Sequence, residues 1–328
     1  MITKYKVGII GAGAIVELSH LPVLKNLDEI EIIWQYDKNA ERSEVISKMF
    51  RVSSIKEEEL EDAIKRIDIC LLTVPYGVRK TFIEKCAEHG KSLYVEKPFA
   101  TKAEEHNYYC NLFPSHKLAI GFQRRYYAIV PFLQQLIQSR VFGSLINIRF
   151  NQGYFTLKGG NKFFSEVNLS GGGVIIESAI HALDQILLIT SAKQVVVKDI
   201  KVLHKNLLDF DSVFSSVVYT DNEEISITCE ISNLRNLENG LELHFENAAV
   251  KCQLTPHSTI KVLSKNNEAV VYLPNLIDYP GANSISQSFY IFWREFINAL
   301  NLKNTNLTSG NSSILTTSWI DQLYSKMN

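Results

Sequence analysis

The sequence of 328 residues lacks an excess of charge of either sign. Lys and Arg number 34 and Asp and Glu number 35, which gives a formal net charge of −1 with neutral histidines. This balance lacks the sequence-wide positive charge of a nucleic-acid binder, so we predict no nucleic-acid partner, although the composition leaves a local basic patch open. No apolar run approaches the 18 residues that a membrane-spanning helix needs, so no contact with a membrane is expected.

Cysteine is scarce, and recognisable metal or hydrolase motifs are missing. The five cysteines are widely spaced and form no CxxC pair, which argues against a disulfide framework and favours a reducing compartment. The opening MITKYKVGIIGAG has no long apolar segment before its glycines, so we expect no signal peptide and a cytoplasmic location. His204, His244 and His257 do not have zinc-ligand spacing, and we predict no metal site. Neither GxSxG nor a Walker A sequence is present.

Strand-like and helix-like segments alternate through residues 1–121. The strand-like segments are Tyr5–Ile10, Ile30–Tyr36, Ile67–Val74, Ser92–Val95 and Leu118–Gly121. Helical spacing of apolar residues appears in Glu57–Arg66, Lys80–His89 and Lys102–Leu112. This alternation predicts an α/β domain with a doubly wound parallel sheet of the Rossmann type.

The pattern changes in residues 122–328, where most segments look like strands. They are Leu145–Phe150, Val195–Leu203, Ser212–Tyr219, Glu224–Ile231, Leu241–Phe245, Thr259–Leu263 and Ala269–Leu273. Helical segments are expected at Val130–Gln138, Gly173–Thr190, Ser286–Leu300 and Ser312–Met327. We therefore predict a second, α+β domain with a large, open, mostly antiparallel sheet. Its C-terminal helices could pack back on the first domain. Because several strands alternate apolar and polar residues, we expect one sheet face to be covered in a homodimer or homotetramer.

The first motif is a glycine-rich turn directly after the first strand. It consists of Gly11, Ala12, Gly13, Ala14 and Ile15, and a helical pattern follows. Two glycines permit a tight turn and let the backbone approach a pyrophosphate, which the helix N-terminus stabilises. Glycines also punctuate many purely structural turns, but the position after a first strand favours a dinucleotide.

An acid closes the second strand. Asp37 can accept hydrogen bonds from both adenosine ribose hydroxyls and would repel a 2′-phosphate, which favours NAD. The alternative is an Asp that only forms the following turn. Lys38 and Arg42 lie close enough in sequence to bind a phosphate, so NADP stays open.

The second motif is Glu96-Lys97-Pro98 at the carboxyl end of a predicted strand. Ligands of open α/β sheets bind at that edge. Lys97 could donate to a substrate hydroxyl and stabilise the developing alkoxide. The alternative is an exposed lysine paired with Glu96.

The third motif is a triple glycine, Gly171–Gly173, followed by an apolar helical segment with Glu177, His181 and Asp184. In a regular α-helix these three residues share one face. A histidine between two acids suits a proton acceptor, since a carboxylate can fix its tautomer and stabilise imidazolium. The alternative is a hydrogen-bonded core histidine.

In this order the motifs resemble the Gfo/Idh/MocA family, the glucose-fructose oxidoreductase and inositol dehydrogenase group. The resemblance runs through the whole chain and also includes His20-Leu21-Pro22, Val95–Ala100, Gly121–Tyr126 and the C-terminal helices. It implies a Rossmann domain, a C-terminal α/β domain with an open sheet, and NAD(P)-dependent oxidation or reduction of sugars, cyclitols or nucleotide-linked sugars. It also implies that Lys97 holds the reacting hydroxyl and that His181 is the general base. Glu177 stands where the family usually has Asp, and Gln123 where Asn is common.

The motifs and the resemblance together predict one set of site residues. The predicted catalytic residues are Lys97, His181 and Glu177. The predicted cofactor-binding residues are Gly11, Ala12, Gly13, Ala14, Ile15, Asp37, Lys38, Thr73, Val74, Pro75, Glu96, Lys97, Gln123 and Arg125. The predicted contacts of a small sugar-like substrate are Lys97, Gln123, Tyr154, Phe163, Glu177 and His181. The alternative functions are a cofactor-binding sugar sensor without turnover, and a reductase of a non-sugar ligand.

Overall fold

The chain divides into two compact units. The computed structural model describes residues 4–155, 166–203, 209–264, 268–271 and 280–327. The first unit comprises Met1–Ala100, Glu104–Gln123 and Ile285–Ser313, and the second comprises Thr101–Ala103, Arg124–Ser284 and Ile314–Asn328. The segment that begins at Ile285 therefore groups with the N-terminal part of the chain, although about 160 residues of the second unit precede it.

A six-stranded parallel sheet forms the centre of the first unit. Its strands are β1 (Tyr5–Ile10), β2 (Ile30–Tyr36), β3 (Ser53–Ser54), β4 (Ile69–Leu72), β5 (Ser92–Val95) and β6 (Leu118–Ile120). They lie in the order β3-β2-β1-β4-β5-β6, and every adjacent pair is parallel. The predicted doubly wound parallel sheet is confirmed. The chain order reverses between β1 and β4, which is where such sheets form a ligand crevice at their carboxyl ends.

The described α-helices follow the chain order in both units. They are α1 (Leu21–Leu24), α2 (Ala40–Phe50), α3 (Leu60–Lys65), α4 (Lys80–Glu88), α5 (Ala103–Asn111), α6 (Ile129–Ser139), α7 (Val167–Ser170), α8 (Ile180–Ile189), α9 (Ile285–Leu302) and α10 (Ile314–Met327). Helix α2 is not among the segments predicted from sequence. It buries only Ser43 and Ile46, so its apolar periodicity is too faint to reveal it.

The second unit contains an eight-stranded sheet. Its strands are β7 (Leu145–Gly153), β8 (Gln194–Val202), β9 (Asp211–Tyr219), β10 (Glu224–Ser232), β11 (Gly240–Phe245), β12 (Ala248–Cys252), β13 (Ile260–Ser264) and β14 (Glu268–Val271). The order is β14-β13-β12-β11-β7-β10-β9-β8, and only the central β7–β10 pair is parallel. The large, open, mostly antiparallel sheet is confirmed. Strand β12 was not predicted, because its AAVKC sequence has two alanines and a weak β-propensity.

The two faces of this second sheet differ in chemistry. Strand β10 buries Ile225, Ile227 and Cys229, whereas Ser226 and Thr228 between them are exposed. On the covered side the buried Trp319 of α10 donates from its indole N–H to Ser216 Oγ, at 2.9 Å. The alternation along β10 is that of a sheet with one face on a core and one polar face.

One helical stretch, Asn168–Ile189, has the length and composition of a membrane span, but most of it is buried inside the protein. It includes α8, of which nine residues are buried. A core helix of a folded domain has the same properties.

Close packing at Gly8 on β1 generates a stability prediction. Gly8 pairs with Trp34 on β2, and a Cβ atom at Gly8 would overlap the indole ring. Gly8→Ala should therefore lower the free energy of unfolding by about 1–3 kcal/mol, because the buried ring has to shift.

Gly13→Ala is the matched control, since a Cβ there meets no described atom within 4 Å. Its unfolding free energy in urea should stay within about 0.5 kcal/mol of wild type. Equal stabilities of the two variants would contradict the packing argument.

Candidate functional site

The glycine-rich turn lies at the carboxyl end of β1. Gly11 has a φ of +102°, and a Cβ on it would lie 2.6 Å from Thr73 Oγ1. The turn is therefore pressed against the end of β4, where the Thr73 hydroxyl donates to the Gly11 carbonyl at 3.1 Å. A Cβ atom on Gly13 would meet no described atom within 4 Å. Since a pyrophosphate needs a bare backbone to approach, these residues fit a dinucleotide.

The acid at the end of β2 holds this turn in place. Asp37 Oδ2 accepts from the Ala12 N–H at 2.6 Å, and Oδ1 accepts from the Asn39 N–H at 2.8 Å. Arg42 Nε donates to the Ala12 carbonyl at 2.7 Å. Both backbone groups of Ala12 are thus bonded to side chains from the β2–α2 segment, which pre-organises the turn.

The Glu96-Lys97-Pro98 turn follows β5, and its Lys97–Pro98 peptide is cis. The buried Glu96 carboxylate contacts His20 Nε2 at 2.9 Å through Oε1 and accepts from the Lys97 N–H at 3.3 Å through Oε2. Lys97 is half-buried. The glutamate therefore fixes the backbone at the lysine that the motif suggests is catalytic.

His20 ends a π-helical turn, Val16–His20, and is fully buried. The Trp293 indole N–H, on α9, donates to His20 Nδ1 at 3.2 Å. Because Nδ1 accepts, the ring proton of the neutral imidazole lies on Nε2 and is donated to Glu96. Tyr94 contacts the His20 ring edge-on with a centroid distance of 4.9 Å. The resemblance included His20 without a role.

Arg79 is a site residue that sequence reasoning missed. Only 4% exposed, it donates from Nε to the Val74 carbonyl at 2.9 Å and from Nη1 to the carbonyls of Glu96 and Pro98. Burial lowers the pKa of its guanidinium to about 10, and the nearby Glu96 opposes that shift. Arg79 thus stays charged at neutral pH and joins the ends of β4 and β5. Its sequence position, just before an amphipathic helix, gives no hint of burial.

In the second unit, the predicted helix over Gly173–Thr190 is not regular. A π-helical turn, Ile175–Ala179, precedes α8. The prediction that Glu177 and His181 share a helix face assumes a regular α-helix, whereas Glu177 lies inside the π-helical turn and His181 lies in α8.

The start of this helix is capped by an acid from a distant segment. Asp209 accepts from the N–H groups of Gly173 and Ile175, at 2.7 and 2.9 Å, and from the Tyr324 hydroxyl at 2.9 Å. Burial raises the pKa of Asp209, and the two backbone donors oppose that rise. The cap fixes where the helix with Glu177 and His181 begins.

The predicted catalytic residues of the second unit differ in burial. The half-buried Glu177 accepts from Asn233 Nδ2 at 3.1 Å through Oε2. His181 is buried. Asn233, on the segment after β10, is a second residue that the sequence analysis did not single out.

Asp184 and Arg125 form a buried ion pair. Arg125 donates to Asp184 from Nε at 2.7 Å and from Nη2 at 2.5 Å, and Thr316 Oγ1 donates to the same carboxylate at 2.8 Å. We predicted a role for Arg125 at the cofactor and for Asp184 beside His181. The structure brings the two residues together with each other.

Three further predicted residues differ in where they lie. Gln123 is buried in a short 3₁₀ turn after β6, and its Oε1 has no hydrogen-bond partner among the described atoms. Tyr154 is 56% exposed after β7. Phe163 lies outside the described residues. In the described part of the chain, no group of three or more His, Cys, Asp or Glu side chains is arranged to hold a metal ion.

The Asp184 ion pair generates a second prediction. Asp184→Ala removes the carboxylate from a buried guanidinium, so the free energy of unfolding in urea should fall by about 3–5 kcal/mol. Asp221→Ala is the control, because its 3.8 Å pair with Lys193 is mostly exposed and should be worth about 0–1 kcal/mol. A loss of similar size in both variants would contradict the structural role.

The chain is similar to known proteins in the sequence of its first unit and in its fold. Residues 5–122 match the family model described as the oxidoreductase family with an NAD-binding Rossmann fold, GFO_IDH_MocA. The chain is similar in fold to an aldose-aldose oxidoreductase from Caulobacter crescentus complexed with glycerol, with a TM-score of 0.83, 14% identity and coverage of 98% and 97% of the two chains. It is also similar to a 3-ketoreductase from Actinomadura kijaniata in complex with NADP and TDP-benzene, with a TM-score of 0.82, 13% identity and 98% coverage of both chains.

A third structure, an oxidoreductase from Agrobacterium radiobacter in complex with NAD+, L-tartaric acid and magnesium, has a TM-score of 0.78 and 15% identity over 99% and 96% of the chains. At such identities the structures establish the fold, while the family model covers the segment that carries the glycine-rich turn, Asp37 and Glu96-Lys97-Pro98. Residues 5–122 therefore match the NAD-binding Rossmann segment of the Gfo/Idh/MocA oxidoreductase family.

Proposed function

We propose that the protein is an NAD(H)-dependent oxidoreductase that transfers hydride to or from a secondary alcohol carbon of a sugar, cyclitol or nucleotide-linked sugar. The observation that carries the proposal is the edge of the first sheet. There the glycine-rich turn, Asp37 and Lys97 follow the ends of β1, β2 and β5. Relatives of the same fold with bound NADP, NAD+, glycerol or a TDP derivative support the class of cofactor and of substrate.

The residues suit the cofactor that the family implies. Residues 11–15 would hold the pyrophosphate, and Asp37 and Lys38 the adenosine ribose. The residues for the nicotinamide end are Thr73, Val74, Pro75, Glu96, Lys97 and Gln123. Arg125, which the sequence also predicts for the cofactor, is paired with Asp184. When bound, the nicotinamide supplies or accepts the hydride.

The protein's own side chains move the proton. Lys97 donates a hydrogen bond to the reacting hydroxyl oxygen and stabilises the negative charge that develops there. His181 takes the hydroxyl proton during oxidation and returns it during reduction. Glu177, oriented by Asn233, stabilises the imidazolium. Tyr154 would stack on a sugar ring; Phe163 is proposed for the same contact.

A sugar sensor that binds the cofactor without turnover is the second candidate. The observation that favours it is Glu177 itself, one methylene longer than the Asp usual at this position. A misplacement of about 1 Å can cost roughly 100-fold in rate.

The first step of the test measures NADH binding by fluorescence titration. Sugars, cyclitols and their nucleotide-linked forms are then screened by nicotinamide absorbance. Turnover with a member of this set is expected. Tight NADH binding with ligand-dependent fluorescence changes but no turnover would favour the sensor, and no NADH binding would contradict both functions.

Lys97 and His181 are expected to be needed for turnover, and His181 is expected to be dispensable for cofactor affinity. Removal of a positioned acid–base group costs about 10²–10⁴-fold, so His181→Ala and Lys97→Ala should lower kcat by that factor. NADH affinity of His181→Ala should stay within about threefold, since its role is proton transfer. The double variant should lose less than the product of the single losses, because groups that act as a unit are not additive.

Glu177→Asp is the conservative control for the same assay and should retain kcat within about tenfold, or 1.4 kcal/mol of barrier. Wild-type turnover in His181→Ala would contradict its assignment as the base.

Association through the polar sheet face remains a prediction. A homodimer or homotetramer would bury the face that carries Ser226 and Thr228 between copies. Light scattering at micromolar concentration should give a multiple of 37.2 kDa. A single 37.2 kDa species would contradict it. A cytoplasmic location likewise stays a prediction.

A further inference from the structure

Arg42 is a cation beside the glycine-rich turn, and it is held by one group of that turn and by one group of the π-helical turn that follows. Its Nε donates to the Ala12 carbonyl at 2.7 Å, and its Nη2 pairs with the Glu17 carboxylate. Its backbone N–H donates to Asn39 Oδ1 at 3.1 Å, where Asn39 caps α2. The position of Arg42 on the first turn of α2 is therefore fixed, and its guanidinium faces the turn.

The charges around this arginine determine what it can bind. Asp37 lies on the other side of Ala12, at 2.6 Å from its N–H. Asp37, Glu17 and Arg42 together carry a formal charge of −1. In dinucleotide sites of this fold an arginine near the end of the second strand accommodates a 2′-phosphate. Here the guanidinium already pairs with a carboxylate, so a phosphate would have to displace Glu17.

We propose that Glu17 is a specificity-determining residue that excludes NADP by holding Arg42 in an ion pair. The inference rests on the proposed function, in which the first unit binds a nicotinamide dinucleotide. Asp37 disfavours a 2′-phosphate directly, by repulsion. Glu17 disfavours it indirectly, by occupying the guanidinium that would neutralise the phosphate. Both pair partners are part-exposed, with side-chain exposures of 30% for Arg42 and 25% for Glu17, so a bound nucleotide can reach them without unfolding the turn.

The test is the ratio of NADPH to NADH dissociation constants, measured by fluorescence titration on the full chain. Wild type should prefer NADH. Glu17→Gln keeps the size and hydrogen-bonding capacity of the side chain and removes its charge, so NADPH affinity should rise about tenfold. NADH affinity should stay within about threefold. Glu17→Asp retains the charge and should retain the NADH preference.

Two controls separate this mechanism from a change in overall charge. Glu41→Gln removes an exposed acid from the same helical turn of α2, and it should change the ratio by less than about threefold. Adding Arg42→Gln to Glu17→Gln should abolish the gain in NADPH affinity.

An unchanged ratio in Glu17→Gln, with NADH still bound, would overturn the inference and leave the proposed function intact. An equal gain in Glu41→Gln, or a gain that survives Arg42→Gln, would also overturn it. Wild-type protein that binds neither cofactor would overturn the proposed function together with the inference.

Discussion

The buried carboxylate of Glu96 is the group on which the candidate site of the first unit depends. A charge out of water needs partners, or its desolvation costs several kcal/mol. Glu96 has the imidazole of His20 at 2.9 Å and the Lys97 N–H at 3.3 Å. His20 in turn accepts from Trp293 on α9. One acid therefore links the helix after the glycine-rich turn, the end of β5 and a helix from the C-terminal part of the chain.

Arg79 complements this acid through the backbone. Its guanidinium donates to carbonyls at the ends of β4 and β5. Strand ends have unpaired carbonyls, and an arginine with five donors in a rigid fork can satisfy several of them at once. The positive guanidinium and the negative Glu96 lie in the same buried region, so each lowers the cost of burying the other. The hydrogen bonds of Glu96 and of Arg79 together hold the Glu96-Lys97-Pro98 turn in position.

The sequence reveals the parts of the site that depend on local pattern. Alternating strands and helices, glycines after β1, and an acid after β2 are local signals, and they were sufficient for the fold and for the positions of Asp37 and Lys97. Asp209 and Asn233 could not be found in this way, because their partners are distant in the chain. Asp209, for example, caps a helix that begins about 36 residues earlier. Arg79 could not be found because its position just before an amphipathic helix gives no sign of burial. The π-helical turn at Ile175–Ala179 was missed for a different reason, since apolar residues are so frequent in this stretch that their periodicity cannot distinguish the turn from a regular α-helix.

Residue types alone also leave roles undecided where one side chain has several possible partners. Arg125 and Asp184 looked like separate contributors, one to the cofactor and one to the base, yet they form a bidentate pair. A buried pair of this kind orients the two segments that carry it at a cost in desolvation. It positions α8, and with it the segment of His181, through a contact made within the second unit.

Arg42 in the first unit is likewise a charged residue whose partners, rather than its charge, determine its role. A cation beside an acid at the end of β2 suggests a phosphate ligand, but its bonds to Ala12 and Glu17 make it a support of the glycine-rich turn. In both units the partner that a charged side chain already has, rather than its charge, determines which ligand it can still bind.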